Sequence, residues 1–223
     1  MMNKIIELKN LTKNFKKKNL KILKNLSYTF KSGNTYSIVG PSGSGKSTLL
    51  NIISMIDRPS SGTLIINRNK INFKNIELND SIRANNIGIV YQDNNLLPDF
   101  TALENINLAR LALETDKKKS MLDSHRLLKS IGLSNRRYHY PSELSGGESQ
   151  RIAISRALIN SPKIFLADEP TGSLDHKNSK TVFELILKLK NKNRVVIYAT
   201  HNIYFAKLAD CKLQLINGKL KNI

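Results

Sequence analysis

Nine consecutive residues, Gly40-Pro41-Ser42-Gly43-Ser44-Gly45-Lys46-Ser47-Thr48, constrain this chain more than any other stretch. Glycines at 40 and 45, a lysine at 46 and a hydroxyl at 47 satisfy every fixed position of G-x-x-x-x-G-K-[ST]. The glycines let the backbone turn tightly and aim several N–H groups at one point, where an anion is favoured. Lys46 adds a mobile point charge suited to β- and γ-phosphates, and the Ser47 hydroxyl is a hard oxygen ligand of the kind Mg²⁺ prefers. Tyr36-Ser37-Ile38-Val39 reads as a short strand before the loop, and Leu49, Leu50, Ile52, Ile53 and Ile56 recur at helical spacing after it. A strand, a glycine loop and a helix N-terminus together form an anion site. A chance Gly/Ser surface loop is the bland alternative, and the later motifs argue against it.

Length and composition limit what can be built around this loop. At 223 residues the chain suits one α/β domain, with room for a helical insertion, and buries a core without metal or disulfide help. The single cysteine, Cys211, forms no internal disulfide and fits a reducing compartment. Met1-Met2-Asn3-Lys4 leads into strand-like Ile5-Ile6-Glu7-Leu8, so no signal peptide is expected at the start of this sequence. No apolar run approaches the roughly 18–20 residues that span a bilayer. Any path across a membrane must come from other chains. The formal charge of +19 suggests nucleic acid or anionic lipid. The lysines are scattered, however, and Lys, Asn and Ile are abundant throughout, which reads as compositional bias and a solvated basic surface. The tightest run, Lys16-Lys17-Lys18, falls where a loop is expected.

Before the phosphate loop, Ile5 to Leu11 and Ile22 to Phe30 read as antiparallel strands, and Ser32-Gly33-Asn34 as a turn. Phe15, between the two strands, offers either a core ring or a flat face on which an adenine can stack. Thr63 to Ile66 reads as a strand, while residues 67–85 are polar and ambiguous. Ile87-Gly88-Ile89-Val90-Tyr91 is a buried strand ending at Gln92, whose amide oxygen can reach a metal or water, or simply finish the strand. From Thr101 to Leu133 the pattern is helical, with Leu103, Ile106, Leu108, Leu111 and Leu113 in one set and Met121, Leu122, Leu127, Leu128 and Ile131 in another. Residues 93–160 are therefore expected to form a helical subdomain inserted in the α/β core.

Ser145-Gly146-Gly147-Glu148 begins a further helix. Ser145 suits the N-cap and Glu148 the third position of a capping box, while the adjacent glycines leave the helix end open to a phosphate. Ile164-Phe165-Leu166-Ala167 is a continuous apolar strand of the parallel type, ending in Asp168-Glu169. Carboxylates at that end of a strand lie where α/β sheets bind ligands. Asp168 suits Mg²⁺ through water, and Glu169 suits polarising an attacking water. Ser173-Leu174-Asp175 follows in a turn, and Val195 to Ala199 is another buried strand that ends at Thr200-His201. His201 either senses a γ-phosphate or is a satisfied structural histidine. Asn217-Gly218 marks a terminal hairpin.

In this order the phosphate loop, Gln92, Leu144–Glu148, Ile164–Glu169, Ser173–Asp175 and His201 resemble the ATP-binding cassette (ABC) ATPases over essentially the whole chain. Ser145-Gly146-Gly147 is what separates that family from other phosphate-loop proteins. The resemblance implies one α/β domain, residues 1–223, of the phosphate-loop NTPase fold. Its parts are a RecA-like core, an antiparallel β subdomain and the inserted α-helical subdomain. It implies two cassettes paired head to tail around two ATP molecules, each phosphate loop facing Ser145, Gly146 and Gly147 of the other copy. Phe15 would stack on adenine; Ser47, Gln92 and, through water, Asp168 would serve Mg²⁺. Glu169 would be the general base and His201 the switch. Ser149 and Ser173 depart from the commonest family pattern.

Leu96-Leu97-Pro98-Asp99-Phe100-Thr101-Ala102-Leu103-Glu104-Asn105 is similar to the cassettes of lipoprotein-releasing exporters. The implied setting is peripheral, on the cytoplasmic side of the inner membrane. The implied partners are permease subunits of the LolC/LolE kind, with no nucleic acid. Macrolide-type export or cell division is the alternative within the family. A soluble nucleic-acid- or ribosome-associated ATPase is the alternative outside transport. The stretch from Asn94 to Glu104, with Leu96, Leu97 and Phe100, is expected to form the surface that meets a permease, or else to pack the insertion on the core.

Overall fold

The computed structural model describes residues 3–15, 20–114 and 116–223; the Lys16-Lys17-Lys18 run and the Met1-Met2 start lie outside the described residues. Two sheets carry the fold. One is antiparallel, made of β1 (Lys4–Phe15), β2 (Leu20–Lys31), β4 (Ser61–Ile66) and β5 (Asn69–Lys70) in the order β2-β1-β4-β5. The other contains β3 (Thr35–Val39), β6 (Ile87–Val90), β7 (Ile164–Asp168), β8 (Val195–Ala199), β9 (Cys211–Ile216) and β10 (Lys219–Asn222) in the order β10-β9-β3-β8-β7-β6. Its strands pair in parallel except β10, which returns on β9 through Asn217 and Gly218 at φ 50° and 77°. Left-handed φ at both positions is what a two-residue hairpin turn demands, and Asn-Gly supplies it with little strain.

The apolar run of β7 is explained by its neighbours. β7 pairs with β6 on one edge and β8 on the other, and its faces are covered on both sides. On one face, Leu166, Ile197 and Ile38 pack with Leu49, Leu50, Ile52 and Ile53 of α1 (Lys46–Ile53) and with Ile6, Leu26 and Phe30 of the antiparallel sheet. On the other, Phe165, Val196 and Tyr198 meet Val182, Phe183 and Ile186 of α6 (His176–Leu187). There the Phe183 ring stacks on Phe205 with centroids 3.8 Å apart. α1 stops short of the expected apolar set, leaving Ile56 exposed. The ambiguous stretch forms α2 (Ile76–Asn86), capped by Asn75, which accepts from Leu78 N.

Residues 102–158 hold α3 (Ala102–Leu111), α4 (Lys117–Ser130) and α5 (Gly146–Leu158) around Ala102, Ile106, Leu128, Leu133 and Ile152. Two of the expected apolar sets are corrected in part. Leu108, Leu113 and Leu122 are exposed, while Asn107, Ser120 and Ser124 are buried in their stead. Ser120 Oγ donates to Asn107 Oδ1 at 2.6 Å, and Ser124 Oγ donates to the Ser120 carbonyl at 2.9 Å. A satisfied polar seam can replace apolar contact between helices. Leucine periodicity alone gives no sign of it.

Candidate functional site

The loop after β3 is built by close approach. A Cβ on Gly40 would stand 2.5 Å from the Leu215 carbonyl, and one on Gly45 would run into the Ile22 side chain. Gly43 and Gly45 also have φ of 75° and 103°, in the left-handed region that side chains avoid. Gly45 then caps α1, and its carbonyl accepts from Leu49 N at 2.9 Å. The first N–H groups of α1 are left pointing into the loop, where the helix dipole favours negative charge. Lys46 Nζ donates to the Gly40 carbonyl at 2.9 Å and to that of Pro41 at 3.3 Å, so the ammonium sits at the loop's mouth.

The sheet brings the other motifs to the same place. One cavity of about 450 Å³ is lined by Gly40, Ser42, Gly43, Gly45, Lys46, Ser47, Thr48, Gln92, Asp168, Glu169 and His201. β3, β6, β7 and β8 are parallel neighbours, so the residues following their carboxyl ends converge there. Asp168 Oδ1 is buried with no hydrogen-bond partner. Burial pushes the Asp168 carboxyl up, and the Ser47 hydroxyl and Lys46 ammonium only partly oppose it. A raised carboxyl pKa means that ionised Asp168 costs the folded state stability above that pKa. Asp168→Asn should therefore raise the melting temperature of the nucleotide-free protein by a few degrees at neutral pH, while ATP turnover falls. Thermal unfolding with and without nucleotide checks this; an unchanged or lower melting temperature would refute the strain at Asp168.

Glu169 is held in an unusual way. Its φ is 46°, a left-handed value that costs a non-glycine residue energy. Its N–H donates to the Ala199 carbonyl at 3.0 Å, which ties it to β8. One carboxylate oxygen, Oε2, accepts from His201 N at 3.1 Å and lies 2.9 Å from His201 Nδ1. Glu169 is mostly buried, with its side chain 17% exposed, whereas His201 is 71% exposed.

Other expected site residues lie elsewhere. Phe15 ends β1 instead of lying between strands; its ring is 39% exposed with Lys13 Nζ 5.0 Å over it, and it does not line the cavity. Ser44 and Pro41 belong to the loop but not to the cavity wall, and buried Ser44 Oγ has no hydrogen-bond partner. Ser145 and Gly146 are exposed at the N-terminus of α5, outside the cavity. Gly147 is buried, and a Cβ there would strike Asn178 of α6. This second glycine is thus required by packing within the chain, a reason beyond keeping a helix end open. Two contributors went unnoticed in the sequence. Ile22 of β2 forms the apolar part of the cavity wall. Gly172 lets Gln92 lie close, since a Cβ would stand 2.9 Å from Gln92 Cδ. Ile22 could have been found only by knowing that β2 folds back onto the loop.

Known proteins resemble this chain over nearly its whole length. The family described as "ABC transporter" matches residues 23–172. The chain is 45% identical over 223 residues to the lipoprotein-releasing system ATP-binding protein LolD of Rickettsia typhi, covering 99% of each chain. It is 43% identical over 219 residues to the LolD of Wigglesworthia glossinidia brevipalpis, covering 97% of this chain and 96% of that one. Among solved structures, the dimeric post-hydrolysis state of the ATP-binding cassette MJ0796 bound to ADP and Pi superimposes with a TM-score of 0.90, at 37% identity and 98% coverage of both chains. The CbiO1 cassette of Clostridium perfringens superimposes at 0.86 with 25% identity, covering 98% of this chain and 87% of that one. On the family match, the full-length identity and the shared fold, this chain belongs to the ATP-binding subunits of the ABC transporter family.

Proposed function

We propose that the chain binds and hydrolyses ATP to power a transporter that releases lipoproteins from the inner membrane towards the outer membrane. The observation that carries the enzymatic part is the single cavity that gathers the phosphate loop, Gln92, Asp168, Glu169 and His201. The full-length identity to LolD proteins supports the lipoprotein cargo over macrolide export, cell division or a nucleic-acid role.

The phosphates of ATP lie on the N–H groups of the loop and the α1 terminus, with Lys46 on the β- and γ-phosphates. Orphaned Asp168 Oδ1, the Ser47 hydroxyl and the Gln92 amide form an all-oxygen donor set that fits Mg²⁺. When bound, that ion neutralises phosphate charge. Glu169 takes the proton of the attacking water, and His201 holds its carboxylate in place. Phe15 offers its exposed face to adenine. Ser145 and Gly146 are exposed and lie outside their own cavity, which suits them to the cavity of a second copy, with ATP between the two. The dimeric state of the MJ0796 cassettes supports this pairing.

None of the described helices is long and apolar enough to cross a membrane, so the path for cargo comes from permeases of the LolC/LolE kind. The chain then sits peripherally on the cytoplasmic side of the inner membrane. The contact surface is the stretch from Asn94 to Glu104. Asn105, fully buried, binds that stretch from within: its Oδ1 accepts from Leu97 N at 2.8 Å, and its Nδ2 donates to the Phe100 carbonyl at 2.8 Å. Arg156 donates to the Asn94 and Asn95 carbonyls, each at 2.8 Å. Leu96 packs inward, while Leu97 and Phe100 remain 43% and 37% exposed. The loop's shape thus rests on Asn105 and Arg156, and its apolar tips are available to a partner helix.

Leu97→Asp or Phe100→Asp should leave the isolated chain folded and hydrolysing ATP, yet abolish co-purification with permeases from membranes. Affinity purification followed by identification of the attached chains is the test. Loss of folding would assign these side chains to internal packing, and intact co-purification and transport would refute the surface.

A further inference from the structure

Ser145 carries a single hydroxyl proton, and in this structure that proton is committed. Ser145 Oγ donates to Glu148 Oε2 at 2.9 Å, and Ser145 N donates to the same oxygen at 2.8 Å. In return Glu148 N donates to Ser145 Oγ at 3.3 Å, closing the capping box of α5. The other carboxylate oxygen, Oε1, accepts from Arg136 Nε at 3.0 Å. Hydrogen bonds from Ser145 and Arg136 hold the Glu148 carboxyl below its usual range, so the group is an anion. An anion at this helix end stands where the triphosphate of a second copy has to arrive.

We propose that Arg136 is a positioning residue for ATP-driven pairing. It neutralises Glu148 at the α5 terminus, so that a phosphate can approach and take over the Ser145 hydroxyl. The proposal rests on the reading that Ser145 serves the partner's nucleotide. Arg136 does not line the chain's own cavity; its side chain is engaged with Glu148 and His139. Its place is fixed by the segment around it. Arg136 N donates to the Leu133 carbonyl at 2.9 Å, and the next turn is bonded to α3: Ala102 N donates to the His139 carbonyl at 2.8 Å and Leu103 N to that of Arg137 at 3.0 Å. The Arg136 guanidinium also lies 3.2 Å from His139 Nε2. The residue that balances Glu148 is therefore tied to the end of the 94–104 stretch.

Without Arg136 the Glu148 charge would oppose the triphosphate. Like charges brought together across an interface weaken association, and about tenfold is the scale expected for this partly exposed pair. The loss should be relieved by removing the other charge. Glu148→Gln keeps an acceptor for Ser145, because glutamine also serves at this capping position.

The test uses the full chain with Glu169→Gln throughout, so that paired molecules accumulate. Dimer formation is followed by size-exclusion chromatography over a range of ATP concentrations, and nucleotide affinity of the monomer by a fluorescent ATP analogue. Arg136→Ala should raise the ATP concentration needed for pairing about tenfold and leave monomer affinity within about twofold. Arg136→Lys should keep most of the pairing. Arg136→Ala combined with Glu148→Gln should recover it. Glu148→Gln alone should pair as well as that double variant, a comparison that stands even if Arg136→Ala by itself folds poorly. Unchanged pairing in Arg136→Ala, or no recovery on adding Glu148→Gln, would overturn the role of Arg136. If the Glu169→Gln parent failed to pair with ATP at all, the two-copy reading of Ser145 would fall, and this proposal with it.

Discussion

Glu169→Gln is expected to bind ATP normally and to lose roughly 10²–10⁴-fold in turnover, the range a positioned general base supplies. Glutamine keeps the shape of the side chain and can still accept from His201 N through its amide oxygen. What it loses is basicity. The position itself supports the role. A left-handed φ of 46° is retained at a non-glycine residue, with Glu169 N bonded to the Ala199 carbonyl and both His201 contacts on one carboxylate oxygen. Such strain persists only where the surroundings over-determine it. With Mg²⁺ and ATP, the variant should elute from a sizing column at twice the monomer mass, because hydrolysis no longer separates the copies. Parental turnover would remove Glu169 as the base and leave His201 as the next candidate.

The sequence is most legible where chemistry demands both a residue type and a spacing. Gly40 to Thr48 could be read because glycines, lysine and hydroxyl each have a separate task. The strand Ile164 to Asp168 could be read because burial on both faces leaves an uninterrupted apolar run. α2 was opaque: Asn79 is its buried residue, while Ile76 and Leu78 are exposed, so no apolar period marks it. The seam of Asn107, Ser120 and Ser124 was opaque for the opposite reason, since its buried residues are polar and satisfy one another across two helices.

At the site, sequence alone picked out Lys46, Ser47, Gln92, Asp168, Glu169 and His201, which the fold brings to one cavity. It could not place those that act through others. Gly172 matters because Gln92 needs its space, and Arg136 because Glu148 needs its charge; neither relation has a fixed spacing. Phe15 shows the limit from the other side. An aromatic at that point in the chain suggests adenine stacking, yet its ring stands outside the cavity under Lys13.

Lys46→Ala should weaken ATP binding by roughly 2–5 kcal/mol, or about 30- to several-thousand-fold, and remove measurable turnover. Two effects combine. The ammonium is the one side-chain cation among the described residues lining the cavity, and removing it takes that charge from the proposed β- and γ-phosphate position. It also braces the loop, since Nζ donates to the carbonyls of Gly40 and Pro41. The fold should survive. Alanine is a good helix former at the first position of α1, and the apolar face formed by Leu49, Leu50, Ile52 and Ile53 is untouched. Lys46→Arg separates the two effects, because it keeps the charge but places a planar fork where a compact ammonium fits. Arginine should recover part of the binding and little of the turnover. Nucleotide titration of the three proteins, with melting curves to confirm folding, gives both comparisons. Hydrolysis by Lys46→Ala at the parental rate would mean that the loop from Gly40 to Thr48 does not hold the reacting phosphate.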